Sequence, residues 1–143
     1  MQINFDKDLK VDNTANINLY GKQLKIVFND DFRRKIADAR LRVEASYAKL
    51  DDEKYVKELS KKSYEEQRKV ANDLMKKNKE IVISTVDSLL GNGIGDFLYQ
   101  HFNGSTEAVS AVLGLLEEYA DDAVKNIKQE KKNKKLARFK NHH

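Results

Sequence analysis

No proline occurs in the 143 residues of this chain, and only six glycines do. Proline is the residue a helix interior cannot accommodate, through ring clash and a missing N–H. A chain without it can run helix wherever its apolar pattern allows, and only glycine and short polar clusters remain to stop one. Three of the glycines fall between Gly91 and Gly95, which places the main interruption there.

Charged residues at 35% and apolar residues at 40% suit a thin, helix-rich protein with much surface to solvate for each residue buried. The length suits one ordinary domain. Charge is unevenly spread. Lys125 to His143 carries eight Lys/Arg against one acid, Glu130, while Met1 to Val124 carries nineteen bases and twenty-two acids. A body of −3 therefore bears an end of +7, which argues against a uniformly basic nucleic-acid binder. The absence of cysteine excludes a disulfide framework, a thiolate nucleophile and a Cys-ligated zinc site. It also fits a reducing cytosol. No apolar run approaches the roughly 20 residues of a membrane span, and the start, Met1-Gln2-Ile3-Asn4-Phe5-Asp6, has no signal-peptide character. A soluble, intracellular protein without membrane association is expected. His142 and His143 read as the stub of a purification tag and receive no functional weight.

Residues 2 to 28 read as β. In Asn16 to Tyr20 and Gln23 to Phe28, Ile17 and Leu19, then Leu24 and Ile26, alternate with polar neighbours, the period of half-buried strands. The pair Gly21-Lys22 between them predicts a tight antiparallel hairpin. Ile3, Phe5 and Leu9 could add a third strand. Asn29-Asp30-Asp31 then offers helix caps, and Phe32, Ile36, Ala39, Val43, Tyr47 and Leu50 recur at helical spacing. Asp51-Asp52 can cap a second helix from about Glu53. Its apolar side is marked by Val56, Leu59, Val70, Leu74, Ile81, Val86 and Leu89, with a polar middle from Lys57 to Arg68. Read as one helix of some 38 residues, it would measure about 57 Å and outrun any partner within the chain. Gly91-Asn92-Gly93 stops it. A short amphipathic turn with Phe97, Leu98 and Phe102 ends at Asn103-Gly104. Ser105 caps the last helix, striped by Val109, Val112, Leu113, Leu116, Ala120, Ala123, Val124 and Ile127. The fold class is thus α+β, mainly α-helical: an N-terminal antiparallel hairpin of two strands, or three, and three main helices. A single domain over residues 1–128 is followed by a flexible basic tail, 129–143.

Chemistry-bearing patterns are sparse. The Gly91 to Gly95 run closes a helix instead of opening one after a strand, and no Lys-Ser/Thr follows, so it is a stop and not a phosphate cradle. His101 alone cannot assemble zinc, and no nucleophile elbow or triad pattern accompanies it. Adjacent acids on a helix point about 100° apart. Of the five pairs, Asp30-Asp31 and Asp51-Asp52 serve as caps, while Glu117-Glu118 and Asp121-Asp122 could mark a face for a basic partner. No catalytic cluster, metal site or cofactor is expected. The basic end, with Lys131, Lys132, Lys134, Lys135 and Arg138, reads as a flexible electrostatic tail that contacts an acidic protein or merely solubilises the chain. A nucleic-acid arm is the alternative, disfavoured because Phe139 is its sole aromatic.

The order of elements, a hairpin, a long helical segment, Val86-Asp87-Ser88-Leu89-Leu90-Gly91-Asn92-Gly93 with Ile94 and Phe97 behind it, and a closing helix with Leu115-Leu116-Glu117-Glu118-Tyr119, is similar to the small tail assembly chaperones of long-tailed bacteriophages of Gram-positive hosts. The similarity spans about Ile17 to Tyr119. The polar stretch Val56 to Leu74 has no counterpart. The resemblance implies a non-enzymatic protein that binds and solubilises the tape-measure protein, helps tail-tube subunits polymerise around it, works in the host cytoplasm and is absent from the mature virion. A longer frameshifted product is frequent in that family, and an adenine run behind Lys131 to Lys135 would permit one. The family has no catalytic positions to carry over. Apolar helix positions are the candidate client contacts: Val70, Leu74 and Ile81 on the long helix, and Leu113, Leu116 and Val124 on the last. A homo-oligomer is expected, because the apolar helical length exceeds what one copy can hide. A virion structural protein is the further alternative. The nucleic-acid reading predicts DNA or RNA affinity that falls steeply with salt and disappears when residues 131–143 are deleted, which filter binding across a salt series would measure.

Overall fold

Strand β1 (Thr14–Leu19) pairs antiparallel with β2 (Lys22–Val27), in register from Thr14 opposite Val27 to Leu19 opposite Lys22. The computed structural model describes residues 1–141, and the tag reading of His142 and His143 lies outside them. Helices follow: α1 (Phe5–Asp8) before the hairpin, then α2 (Asp30–Tyr47), α3 (Glu53–Ser60), α4 (Tyr64–Leu90), α5 (Ile94–His101) and α6 (Thr106–Asn141). The fold is α+β and mainly helical, with the hairpin at its N-terminal end. No helix of the described residues is long and apolar enough to cross a membrane.

Two compact units group these elements, one of residues 1–33 with the stretch from Leu115 onward, the other of residues 34–114. Helices α2 and α6 each contribute to both. In the first unit the hairpin turn is Tyr20-Gly21, one residue earlier than its glycine pairing suggests. Both residues have positive φ, 51° and 92°, as a two-residue turn matched to strand twist requires. The Asn18 carboxamide oxygen accepts from the Gly21 N–H at 3.2 Å. Alternation holds: Ala15, Ile17, Leu19, Leu24 and Ile26 turn inward while Asn16, Asn18 and Lys25 stay exposed. Phe28 meets Phe32 edge to face at 5.2 Å, and Asn29 caps α2 by accepting from the Phe32 N–H at 2.9 Å. Arg33 bonds Asp121 on α6 at 3.2 Å. The third strand does not form. Ile3, Phe5 and Leu9 belong to an arm whose only regular element is the four-residue α1, capped by Asn4. These three apolar residues form no ladder with a partner strand, and a single helical turn satisfies part of the backbone instead.

In the second unit the expected 38-residue helix is two helices. Lys61 closes α3, and the Ser63 hydroxyl caps α4 by accepting from the Glu66 N–H at 3.2 Å. Ser63-Tyr64-Glu65-Glu66 has the Ser-x-x-Glu spacing of a capping box, and Gln67 donates from its side chain to the Lys62 carbonyl at 2.9 Å. α4 is therefore 27 residues, about 40 Å, and no helix of about 57 Å runs from Glu53 to Leu90. Asp52 caps α3 as expected.

Helices α4 and α5 pack closely around one glycine. A Cβ on Gly95 would lie 2.5 Å from the Ile83 carbonyl oxygen and 2.7 Å from its Cγ2. The Gly95 N–H donates to the Asp87 carboxylate at 2.7 Å, so a side chain on α4 caps the start of α5. Gly91, at φ 123° and ψ 154°, occupies backbone space open essentially to glycine. Around this corner Val86 and Leu98 are fully buried, and Lys79 lies 4.1 Å from the Tyr99 ring centroid. Thr85 is buried and satisfied by donating to the Ile81 carbonyl at 2.7 Å. Gly95→Ala should lower stability by about 1–3 kcal/mol through overpacking, and Asp87→Ala by about 1 kcal/mol through loss of the cap. Gly114→Ala, where an added methyl meets nothing within 4 Å, should be neutral or stabilising by up to about 1 kcal/mol. Denaturant melts of the three variants measure all of this.

Candidate functional site

Helix α6 continues to Asn141, so the segment 129–143 expected to be irregular is helical as far as it is described. Alanine, leucine, lysine and arginine are good helix formers, Lys-rich ends complement the dipole, and Gln129 bonds Asn133 one turn on at 3.0 Å. Backbone hydrogen bonding thus persists after the apolar stripe ends. Within the first unit that stripe is Leu116, Ala120 and Ala123, all buried, with Val124 and Ile127 half-buried. Continuing on the same side of the helix, at steps of three and four, come Lys131, Lys134, Lys135 and Arg138. The face that is apolar up to Ile127 is cationic beyond it.

The N-terminal arm lies against this cationic face. Arg138 donates to the Asp8 carboxylate at 2.7 Å. Arm and helix enclose a groove of about 850 Å³, with Met1, Ile3, Phe5 and Leu9 on one wall and the four cations on the other. The apolar arm residues are exposed, Phe5 at 73% and Ile3 at 64%. Among the described residues, Lys131, Lys134 and Lys135 make no ion pair within 4.0 Å, with Glu130 one turn before Lys134, so the wall remains cationic. Such a groove can take a segment that is both apolar and acidic.

The remaining sequence-derived candidates divide by burial. Ile81, Leu113 and Leu116 are core residues, 4–9% exposed, and cannot meet a client while the fold is intact. Val124 is half-buried. Val70 and Leu74 are half-buried and line a shallow recess of about 240 Å³ in the second unit, with Leu50 and Tyr55. Of the basic residues, Lys131, Lys134, Lys135 and Arg138 come together in the groove, whereas Lys132 is exposed and is not part of its lining. The acids Asp52, Glu65 and Glu66 lie at helix starts. His101 is exposed beside Phe97 and Phe102. Among the described residues no group of three metal-ligating side chains converges, and no buried side-chain nitrogen or oxygen lacks a partner. Sequence reasoning missed the arm, because a four-residue helix has no periodicity to detect. It also passed over the spacing of 131, 134, 135 and 138, which alone would have drawn the cationic face.

Asp8 and Arg138 have side chains 40% and 65% exposed, so their pairing is worth about 0.2–1 kcal/mol. A double-mutant cycle on Asp8→Asn and Arg138→Gln should return a coupling in that range that shrinks in high salt.

No protein-family model, curated protein or solved structure matches this chain.

Proposed function

We propose that this protein is a non-enzymatic assembly chaperone of the kind that serves tail assembly in long-tailed phages. It holds an acidic, amphipathic helical stretch of the tape-measure protein, keeps it soluble, and hands it to tail-tube subunits. It acts in the host cytoplasm and leaves before the virion is complete. The observation that carries the reading is the groove of the first unit, with apolar side chains on one wall and Lys131, Lys134, Lys135 and Arg138 on the other. An amphipathic helix laid in such a groove has its apolar positions covered and its acids matched.

On this reading the client does not meet Ile81, Leu113 and Leu116, which are buried in the core. The recess with Val70 and Leu74 is a secondary place for an apolar anchor. A nucleic-acid partner would use the same cations, but the wall of Ile3, Phe5 and Leu9 has no role in contacting phosphate, so a protein client is favoured.

Co-expression with fragments of a tape-measure protein should raise their soluble yield and give co-purification that is salt-sensitive. Lys131→Glu with Lys135→Glu should weaken capture about tenfold or more, while Lys132→Glu, off the groove, should leave it unchanged. Unchanged client solubility with no co-purification would defeat the proposal. Detection of the protein by mass spectrometry in mature particles would defeat its departure before completion.

A further inference from the structure

Helix α6 carries a second patterned face within the first unit. Leu115, Glu118, Tyr119 and Asp122 recur at i, i+3, i+4 and i+7, and all four are exposed, Leu115 at 52% and Tyr119 at 57%. This is the spacing of Lys131, Lys134, Lys135 and Arg138, sixteen residues further on. One face presents two apolar side chains and two acids one helical turn apart. The other presents four cations, as two pairs each one turn apart, beside an apolar wall. Two carboxylates at i and i+4 match two ammonium groups at i and i+4, since both spacings are one turn of about 5–6 Å. Leu115 and Tyr119 supply the apolar contact that the arm wall lacks.

We infer that the groove of one copy receives the Leu115–Asp122 face of a second copy. Sixteen residues separate the faces by about 24 Å along α6 and roughly 160° around it, so one copy cannot satisfy both from the same helix. The contact joins two different surfaces and is heterologous. Each bound copy still offers one unfilled face, and copies add head to tail. The groove already accepts a carboxylate, since Asp8 occupies Arg138, and the −3 body and +7 end of each chain favour approach in this orientation. The inference stands on the first unit's geometry and is independent of which client the protein holds.

Sedimentation velocity of the full chain over a concentration series tests it. Self-association should grow with concentration and weaken by about tenfold or more between low and high salt. Lys131→Glu/Lys135→Glu and Glu118→Lys/Asp122→Lys should each be single-copy at concentrations where the natural sequence associates. Mixed, they should associate in alternation, because the two natural faces match each other and so do the two reversed ones. A chain carrying all four reversals should associate again, which separates a docking contact from misfolding, and circular dichroism checks helicity in each. A natural chain that stays single-copy throughout overturns the inference, even if an unrelated acidic helical peptide enters the groove. So does association that the two paired reversals leave unchanged, or a mixture that fails to pair.

Discussion

A helix can keep its backbone hydrogen bonds long after it has run out of anything to bury, and α6 depends on that difference. Up to Ile127 its inward side is apolar and partly or wholly covered. From Lys131 the same side is cationic. If apolar residues had continued there, the last turns would expose a greasy ridge and promote indiscriminate association. If the helix had ended, lysines would trail as irregular chain with no fixed spacing. Because it neither stops nor stays apolar, four cations acquire a rigid pattern and the N-terminal arm acquires something to lie against. The groove follows from that combination.

The elements whose signals are local were legible in the residues. Period-two alternation located both strands, Asp52 and Ser105 marked helix starts, and Gly91-Asn92-Gly93 marked a stop that Gly91 enforces with a backbone conformation other residues avoid. The break at Lys61–Ser63 was also written locally, in Ser63 and Glu66, but the apolar stripe on both sides of it concealed the boundary. Gly95 shows the opposite limit. Its role comes from Ile83, twelve residues earlier and reachable only once α4 and α5 pack, so no pattern in the sequence announces it beyond the glycine itself.

Function was legible only in part. The charge split pointed to the basic end, yet treating that end as irregular chain erased its geometry. Helical periodicity applied to lysines as readily as to leucines would have recovered the face. Apolar stripes misled in the other direction. Ile81, Leu113 and Leu116 share their spacing with residues that bind partners, and spacing does not distinguish a core position from a docking position. Burial does, and it assigns these three to the core.

The arm that forms one wall of the groove is joined to the rest of the molecule by covalent bonds, and this changes what its weak ion pair means. Asp8 is offered to Arg138 at the high local concentration that a short tether imposes, of millimolar order. It rebinds after every opening without any need for intrinsic strength. An incoming carboxylate therefore meets a resident rival that can be displaced but never lost. Occupancy of the groove becomes a contest decided by the stranger's valence, because several simultaneous contacts can prevail where a single one cannot.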